Sequence, residues 1–191
     1  MMLLQDANNL QGTGHIICPY GNDLGVKGVE MTDIGKVMAC VDLSDYTRMT
    51  IEEAVTVTRG LPAEIVLLNV INNRDVEAVR TVSPYLPEGL SVETYIERAS
   101  TERREHIKEI IDQFFPAEKP RMRIVIHVGI PYEAILRAIE TEKVDLVVLA
   151  SKGKSNLIGT LHGSNAEKVF RHSPVPVLSA RSRENFSRKR F

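Results

Sequence analysis

Short, continuous apolar segments recur along this chain, and they constrain its fold more than any other feature of the sequence. Strands that are buried on both faces carry such segments, whereas a strand with one solvent face alternates apolar and polar residues. Between the segments, apolar residues recur at steps of three and four, which is typical of amphipathic helices. The predicted strands are 36–42, 64–70, 123–128, 144–150 and 175–180, and the predicted helices include 47–60, 92–114 and 129–142.

This alternation predicts an α/β fold, a doubly wound five-stranded parallel sheet with helices on both faces. Ligands of such sheets bind beyond the carboxyl ends of the strands, where the strand order reverses. Four of these ends are Asp42, Val70, Gly129 and Ala150. Residues 72–91 contain two prolines and a glycine, and we predict that they form a long surface insertion.

Composition and charge narrow the classes of partner. The 191 residues carry a formal net charge of −1, so overall charge favours neither nucleic acid nor an anionic membrane. No apolar stretch approaches the roughly 20 residues of a membrane span, and the chain opens without a signal-peptide pattern. Cys18 and Cys40 are too few and too far apart for a disulfide framework. We therefore expect a cytoplasmic protein without a membrane or nucleic-acid partner.

The segment after the fourth predicted strand, 151–163, has features of a phosphate-binding loop. Gly153 and Gly163 allow close approach of the backbone to a phosphate, and Lys154 supplies positive charge. The sequence SNAE at 164–167 has the pattern of a capping box, which predicts a helix that begins at the serine. The N–H groups and dipole of that helix would favour an anion in the loop. An ordinary surface loop before a capped helix also fits these signals.

Several separated motifs resemble the universal stress protein family. They are VMACVDLSD at the first strand, EIVLLNVIN at the second, and Gly153, nine residues and Gly163-Ser164, followed by AEKVFRHSPVPVLSAR. The resemblance implies a universal stress protein domain over residues 36–181. Residues 1–35 are then an N-terminal extension, either an arm that pairs with the sheet or a loose leader, and residues 182–191 are a basic tail.

The resemblance also implies the fold, ligand and assembly of that family. The fold is the adenine nucleotide alpha hydrolase-like sheet, the ligand is ATP or a related adenine nucleotide, optionally with Mg or Mn, and the assembly is a homodimer joined through residues 175–180. The nucleotide is expected to act as a regulatory ligand in the stress response.

Ten residues form the expected nucleotide site. Asp42 would hold the adenosine end with Val41 beside it, and the Val70 backbone would contact adenine. The others would surround the ribose and the phosphates: Ala150, Gly153, Lys154, Gly163, Ser164, Asn165 and Ala166.

Ala150 departs from the family pattern, which has a glycine at this position. A left-handed backbone there would make alanine cost about 1–2 kcal/mol, or about a tenfold loss of affinity. If the glycine only leaves room, a small shift absorbs the methyl group. We expect a nucleotide binder that is weaker than the full pattern implies. The alternatives are a nucleotide-free dimeric interaction protein and a slow ATPase that uses the same site.

The other chemistry-bearing residues indicate no catalytic centre and no metal site. The five histidines lack metal-ligand spacing, no serine nucleophile elbow is present, and Cys40 is predicted to be a small core residue. Slow ATP hydrolysis or self-phosphorylation is the extent of the enzymatic activity that the resemblance allows. Asp42 either contacts the ligand or caps the next helix, for which Ser44 and Asp45 are rival caps.

Overall fold

The computed structural model describes residues 34–85, 91–150 and 164–181. The strands in these ranges are β1 Lys36–Cys40, β2 Glu64–Asn72, β3 Met122–Gly129, β4 Leu146–Ala150 and β5 Val177–Ala180. The α-helices are α1 Thr47–Val57, α2 Asn73–Val82, α3 Val92–Phe114, α4 Pro131–Glu142 and α5 Ser164–His172, and two short 3-10 turns are Ser83–Tyr85 and Lys119–Arg121. The predicted tail, the loop 151–163 and all but the last two residues of the predicted N-terminal extension lie outside the described residues.

The five strands form one parallel sheet in the order β3-β2-β1-β4-β5, which confirms the predicted α/β fold. The chain places β2 and β3 on one side of β1, and then returns to place β4 and β5 on the other. Strand order therefore reverses between β1 and β4, and their carboxyl ends mark the point where ligands of such sheets bind.

Helices cover both faces of the sheet. Successive strand residues point to opposite faces, so Val37 and Ala39 pack in one core cluster while Met38 packs in the other. The first cluster contains residues of α1 and α3, and the second contains residues of α4 and α5. Burial on both faces explains why the strands are continuous apolar segments.

The segment 72–91, which was predicted to be a surface insertion, begins with a helix that the sequence analysis did not predict. β2 extends to Asn72, whose side chain then accepts a hydrogen bond of 3.0 Å from Arg74 N and caps α2. Val76, which is 3% exposed, is the buried residue of this helix. The helix-breaking residues of this segment begin only at Pro84, after α2 has ended.

Charged side chains join the amino ends of the strands. The Asp145 carboxylate accepts hydrogen bonds from the backbone N–H groups of Gly35 and Lys36, at 2.9 and 2.8 Å. Arg123 Nε donates to Glu64 Oε1 at 2.7 Å, and this contact lowers the pKa of the Glu64 carboxyl. These residues fasten neighbouring strands at the end of the sheet opposite to the predicted ligand site.

Removal of the buried side chain that docks α3 on the sheet should destabilise the fold. Ile107 is fully buried in the α3 cluster, whereas Ile130 is 44% exposed. Ile107→Ala is expected to lower the free energy of unfolding by about 2–5 kcal/mol, because it leaves a cavity in a packed core. Ile130→Ala removes the same atoms from a partly solvated position and is expected to cost less than about 1 kcal/mol. Urea unfolding of both variants measures the difference, and equal midpoints would contradict this assignment of the core.

Candidate functional site

A cleft of about 310 Å³ opens at the carboxyl ends of β1, β2 and β4, beside the reversal of strand order. Seven of the ten predicted site residues line it together: Val41, Asp42, Val70, Ala150, Ser164, Asn165 and Ala166. The remaining three, Gly153, Lys154 and Gly163, lie outside the described residues. Residues of α2, α3 and α4 also line the cleft.

Asp42 shapes the turn between β1 and α1. Its Oδ1 accepts hydrogen bonds from the backbone N and the Oγ of Ser44, at 3.1 and 2.5 Å. Leu43 between them has a left-handed backbone, with φ of 59°. Of the two roles considered for Asp42, capping of α1 is not observed, because the carboxylate forms a local Asx-type turn and Tyr46 at the N-cap makes no side-chain cap hydrogen bond to the described residues. The turn holds the Asp42 carboxylate at the wall of the cleft.

β2 extends beyond the end of β1, and this leaves part of its backbone at the cleft wall. The final contact between the two strands runs from Val41 N to Leu68 O, at 2.9 Å. In a parallel ladder, the N–H and C=O groups of one residue face the same neighbour, and successive residues alternate. Val70 therefore points its peptide groups to the same side as Leu68, toward the space beyond the end of β1.

A buried asparagine closes the floor of the cleft. Asn69 is 1% exposed, and its Nδ2 donates to Val41 O at 2.7 Å. Arg103 Nη1 on α3 donates to Asn69 Oδ1 at 2.9 Å and to Val70 O at 3.1 Å. Both ends of the buried amide are thus paired, as buried polar groups require.

Sequence reasoning missed this arrangement of Asn69 and Arg103. The polar Asn69 within the apolar segment EIVLLNV was a usable signal, because a buried amide needs hydrogen-bonding partners. Arg103 carried no comparable signal, since it lies among many charged residues of a long amphipathic helix.

Ala150 has the backbone of a strand residue. It is the last residue of β4 and pairs with Ala180 of β5. Among the described non-glycine residues, the left-handed positions are Leu43 and Lys143. The strain that a left-handed backbone would impose on alanine therefore does not arise, and the methyl group affects only the space at the cleft wall.

α5 begins at Ser164, as predicted, and its first turn borders the cleft. Ser164 and Asn165 are exposed there, whereas Ala166 is buried and packs with α4 and the sheet. The first backbone N–H groups of a helix lack partners within the helix and carry partial positive charge. This side of the cleft therefore favours a negatively charged group.

Cys40 also lines the cleft, at the end of β1. Its surroundings disfavour the charged thiolate, and desolvation raises the pKa of the thiol to about 12. The group is therefore a neutral thiol at physiological pH and presents a small apolar surface to the cleft.

Ranges 34–85, 91–150 and 164–181 contain no group of three or more His, Cys, Asp or Glu residues that could hold a metal ion. Within the same ranges, every helix is too short or too polar to cross a lipid bilayer.

Comparison with known proteins assigns the family of the chain. The model of the universal stress protein family matches residues 34–181. The chain belongs to the universal stress protein family. The universal stress protein MJ0577 of Methanocaldococcus jannaschii is 30% identical over 149 residues, which cover 75% of this chain and 92% of that protein. A universal stress protein of Methanothermobacter thermautotrophicus is 25% identical over 142 residues, or 73% and 91% of the two chains.

Solved structures of the family share the fold. The structure of MJ0577 matches with a TM-score of 0.64 and 25% identity, and the match covers 78% of this chain and 96% of that one. The universal stress protein UspA from Lactobacillus plantarum matches with the same TM-score of 0.64 at 20% identity, over 78% and 98% of the two chains. The second match supports the fold alone.

The thiol of Cys40 should resist alkylation in the folded protein. A rise in its pKa from 9.0 to about 12 lowers the thiolate fraction near neutral pH about a thousandfold, and the thiolate is the reactive form. In a Cys18→Ser variant, iodoacetamide at pH 8 should label Cys40 far more slowly than it labels the same protein in urea. Because the thiolate fraction grows with pH, the folded rate should keep rising above pH 9, where the unfolded rate levels off. Equal rates in the two states at pH 8 would contradict the environment described for Cys40.

Proposed function

We propose that this protein binds ATP or a related adenine nucleotide in the cleft, as a regulatory ligand in the stress response. One observation carries the proposal: a peptide edge, a carboxylate and a helix N-terminus border the same cleft at the reversal of strand order. These three groups correspond in chemistry to a base, a ribose and a phosphate chain. A volume of about 310 Å³ lies at the lower end of the range of small-molecule sites.

The peptide edge at Val70 is suited to adenine. Adenine presents an exocyclic amino donor beside a ring nitrogen acceptor, and the Val70 backbone presents a carbonyl acceptor and an N–H donor on one side. Apolar atoms of Val41 and Leu149 lie in the same cleft and suit the faces of a planar ring.

The ribose and the phosphates have partners on two other sides. The Asp42 carboxylate can accept hydrogen bonds from ribose hydroxyls, and such bonds to a charged group are stronger than neutral ones. The first turn of α5, at Ser164 and Asn165, borders the cleft, and the N–H groups of a first helical turn favour phosphate oxygens. A Mg or Mn ion could accompany the triphosphate, because Mg keeps several waters and needs only one or two carboxylates.

Regulation is proposed to act by a shift between conformations. A ligand stabilises whichever conformation it binds more tightly. The proposed nucleotide contacts join β1, β2 and α5, which are separate segments of the chain, so binding would favour conformations in which these segments are close together.

Loss of the Asp42 charge should weaken ATP binding without unfolding the protein. Asp42→Asn keeps an Oδ1 acceptor for Ser44 but removes the charge, and we expect the Kd for ATP to rise about 10- to 100-fold. Asp45→Asn is the matched control, because Asp45 is exposed three residues later and does not border the cleft. Titration calorimetry with ATP measures both variants against the unmodified protein.

Two results of that titration would count against the proposal. No heat with ATP in the folded, unmodified protein would favour the alternative of a nucleotide-free interaction protein. An equal effect of both substitutions would mean that Asp42 acts through overall charge and does not contact the nucleotide. Release of phosphate in the same samples would indicate the slow ATPase.

The proposal includes a homodimer joined through 175–180. β5 is an edge strand of the described sheet, and an edge with unpaired peptide groups is a template for pairing with another chain. The carbonyl of Pro176 accepts from Val147 N, so by alternation the peptide groups of Val177 and Ser179 face outward. Sedimentation equilibrium is expected to give twice the mass of the chain, and a monomer mass at every concentration would contradict the dimer.

A further inference from the structure

We propose that Arg103 is a specificity-determining residue of the cleft. It reduces the preference of the cleft for bases that carry an exocyclic amino group over bases that lack one. The inference rests on the proposed nucleotide function and concerns one atom of that site. Arg103 Nη1 donates a hydrogen bond of 3.1 Å to Val70 O. That carbonyl is also the acceptor that the amino group of adenine would use.

Arg103 is held in place by Asn69. An arginine only donates hydrogen bonds and a carbonyl only accepts them, so the two contacts of Asn69 define the orientation of its amide. Nδ2 must face Val41 O and Oδ1 must face Arg103, as the distances of 2.7 and 2.9 Å show. Because Asn69 is buried and paired at both ends, its amide gives Arg103 Nη1 a defined anchor next to the Val70 carbonyl.

The position of Arg103 has a consequence for base recognition. A carbonyl oxygen has two lone pairs, and Nη1 occupies one of them at Val70. An amino group that uses the second lone pair shares the oxygen with a cationic donor, and the like partial charges of the two donors repel each other. The half-buried position of Arg103 reduces the screening of this repulsion by water. The amino group of adenine should therefore contribute less to affinity than a hydrogen bond to an unshared carbonyl would.

A comparison of two nucleotides isolates this effect. ATP and purine ribonucleoside triphosphate differ only in the exocyclic amino group, so attraction of Arg103 to the phosphates cancels in the ratio of their Kd values. In Arg103→Leu, the preference for ATP over the purine analogue should rise about three- to tenfold, which is the value of one neutral hydrogen bond.

Arg104→Leu is the matched control. Arg104 is the next residue of α3, and its Nη1 donates to the carbonyl of Ile124 on β3, at 3.0 Å. It is therefore also an arginine bound to a strand carbonyl, but it does not border the cleft. The preference for ATP in Arg104→Leu should equal that of the unmodified protein.

A second variant guards against misfolding, because Arg103→Leu leaves the buried Asn69 Oδ1 without its partner. Arg103→Gln removes the cation and keeps a side-chain donor for Asn69, and it should raise the preference for ATP in the same direction. Circular dichroism and the unfolding midpoint confirm that each variant is folded before the titrations.

Each outcome decides between the proposals. The role of Arg103 is overturned if folded Arg103→Leu and Arg103→Gln bind both nucleotides with an unchanged or lower preference for ATP. That result does not affect the proposed nucleotide site. Affinities that fall equally for both nucleotides also overturn it, because they show contact with the phosphates. No binding of either nucleotide to any folded form refutes the proposed function, and the inference with it.

Discussion

Burial of the central strand on both faces is the constraint on which the rest of the structure depends. Val37, Met38 and Ala39 of β1 are all fully buried, so helices must cover the sheet on each side. Parallel neighbours require long crossovers that pass over those faces. The chain fills one side of β1 with β2 and β3 and must then cross to the other side with β4. The cleft forms between the carboxyl ends of β1 and β4, where the strand order reverses.

The fold could be predicted from the sequence because buried parallel strands have a recognisable sequence pattern. Each strand is a continuous apolar segment, and the long helices carry regular apolar spacing. α2 has no such pattern, because Val76 is its one buried residue among those described. A helix with one buried residue and a cap at Asn72 has no periodic apolar pattern, so the two prolines that follow it dominated the prediction.

The candidate site also contains residues that could be predicted from the sequence and residues that could not. Asp42, Val70 and Ser164 lie at or near the ends of strands and helices that the sequence predicts, so their common edge could be predicted from topology alone. The pairing of Asn69 with Arg103 could not, because the two residues are 34 positions apart and meet only after α3 has docked on the sheet. The backbone of Ala150 was equally inaccessible, since only the structure distinguishes an extended alanine from one in a left-handed turn.

The hydrogen bond from Asn69 to Val41 has a consequence for how the depth of the cleft is encoded. β1 ends while β2 continues. At this point the side-chain amide of Asn69, and not a backbone N–H group of β2, donates the next hydrogen bond to Val41 O. Any amino acid except proline can donate a backbone hydrogen bond. The bond to Val41 O, by contrast, requires asparagine or a similar amide side chain at position 69. The boundary between sheet and cavity therefore depends on the one residue Asn69. A substitution of Asn69 is expected to change the floor of the cleft without altering the length of any strand.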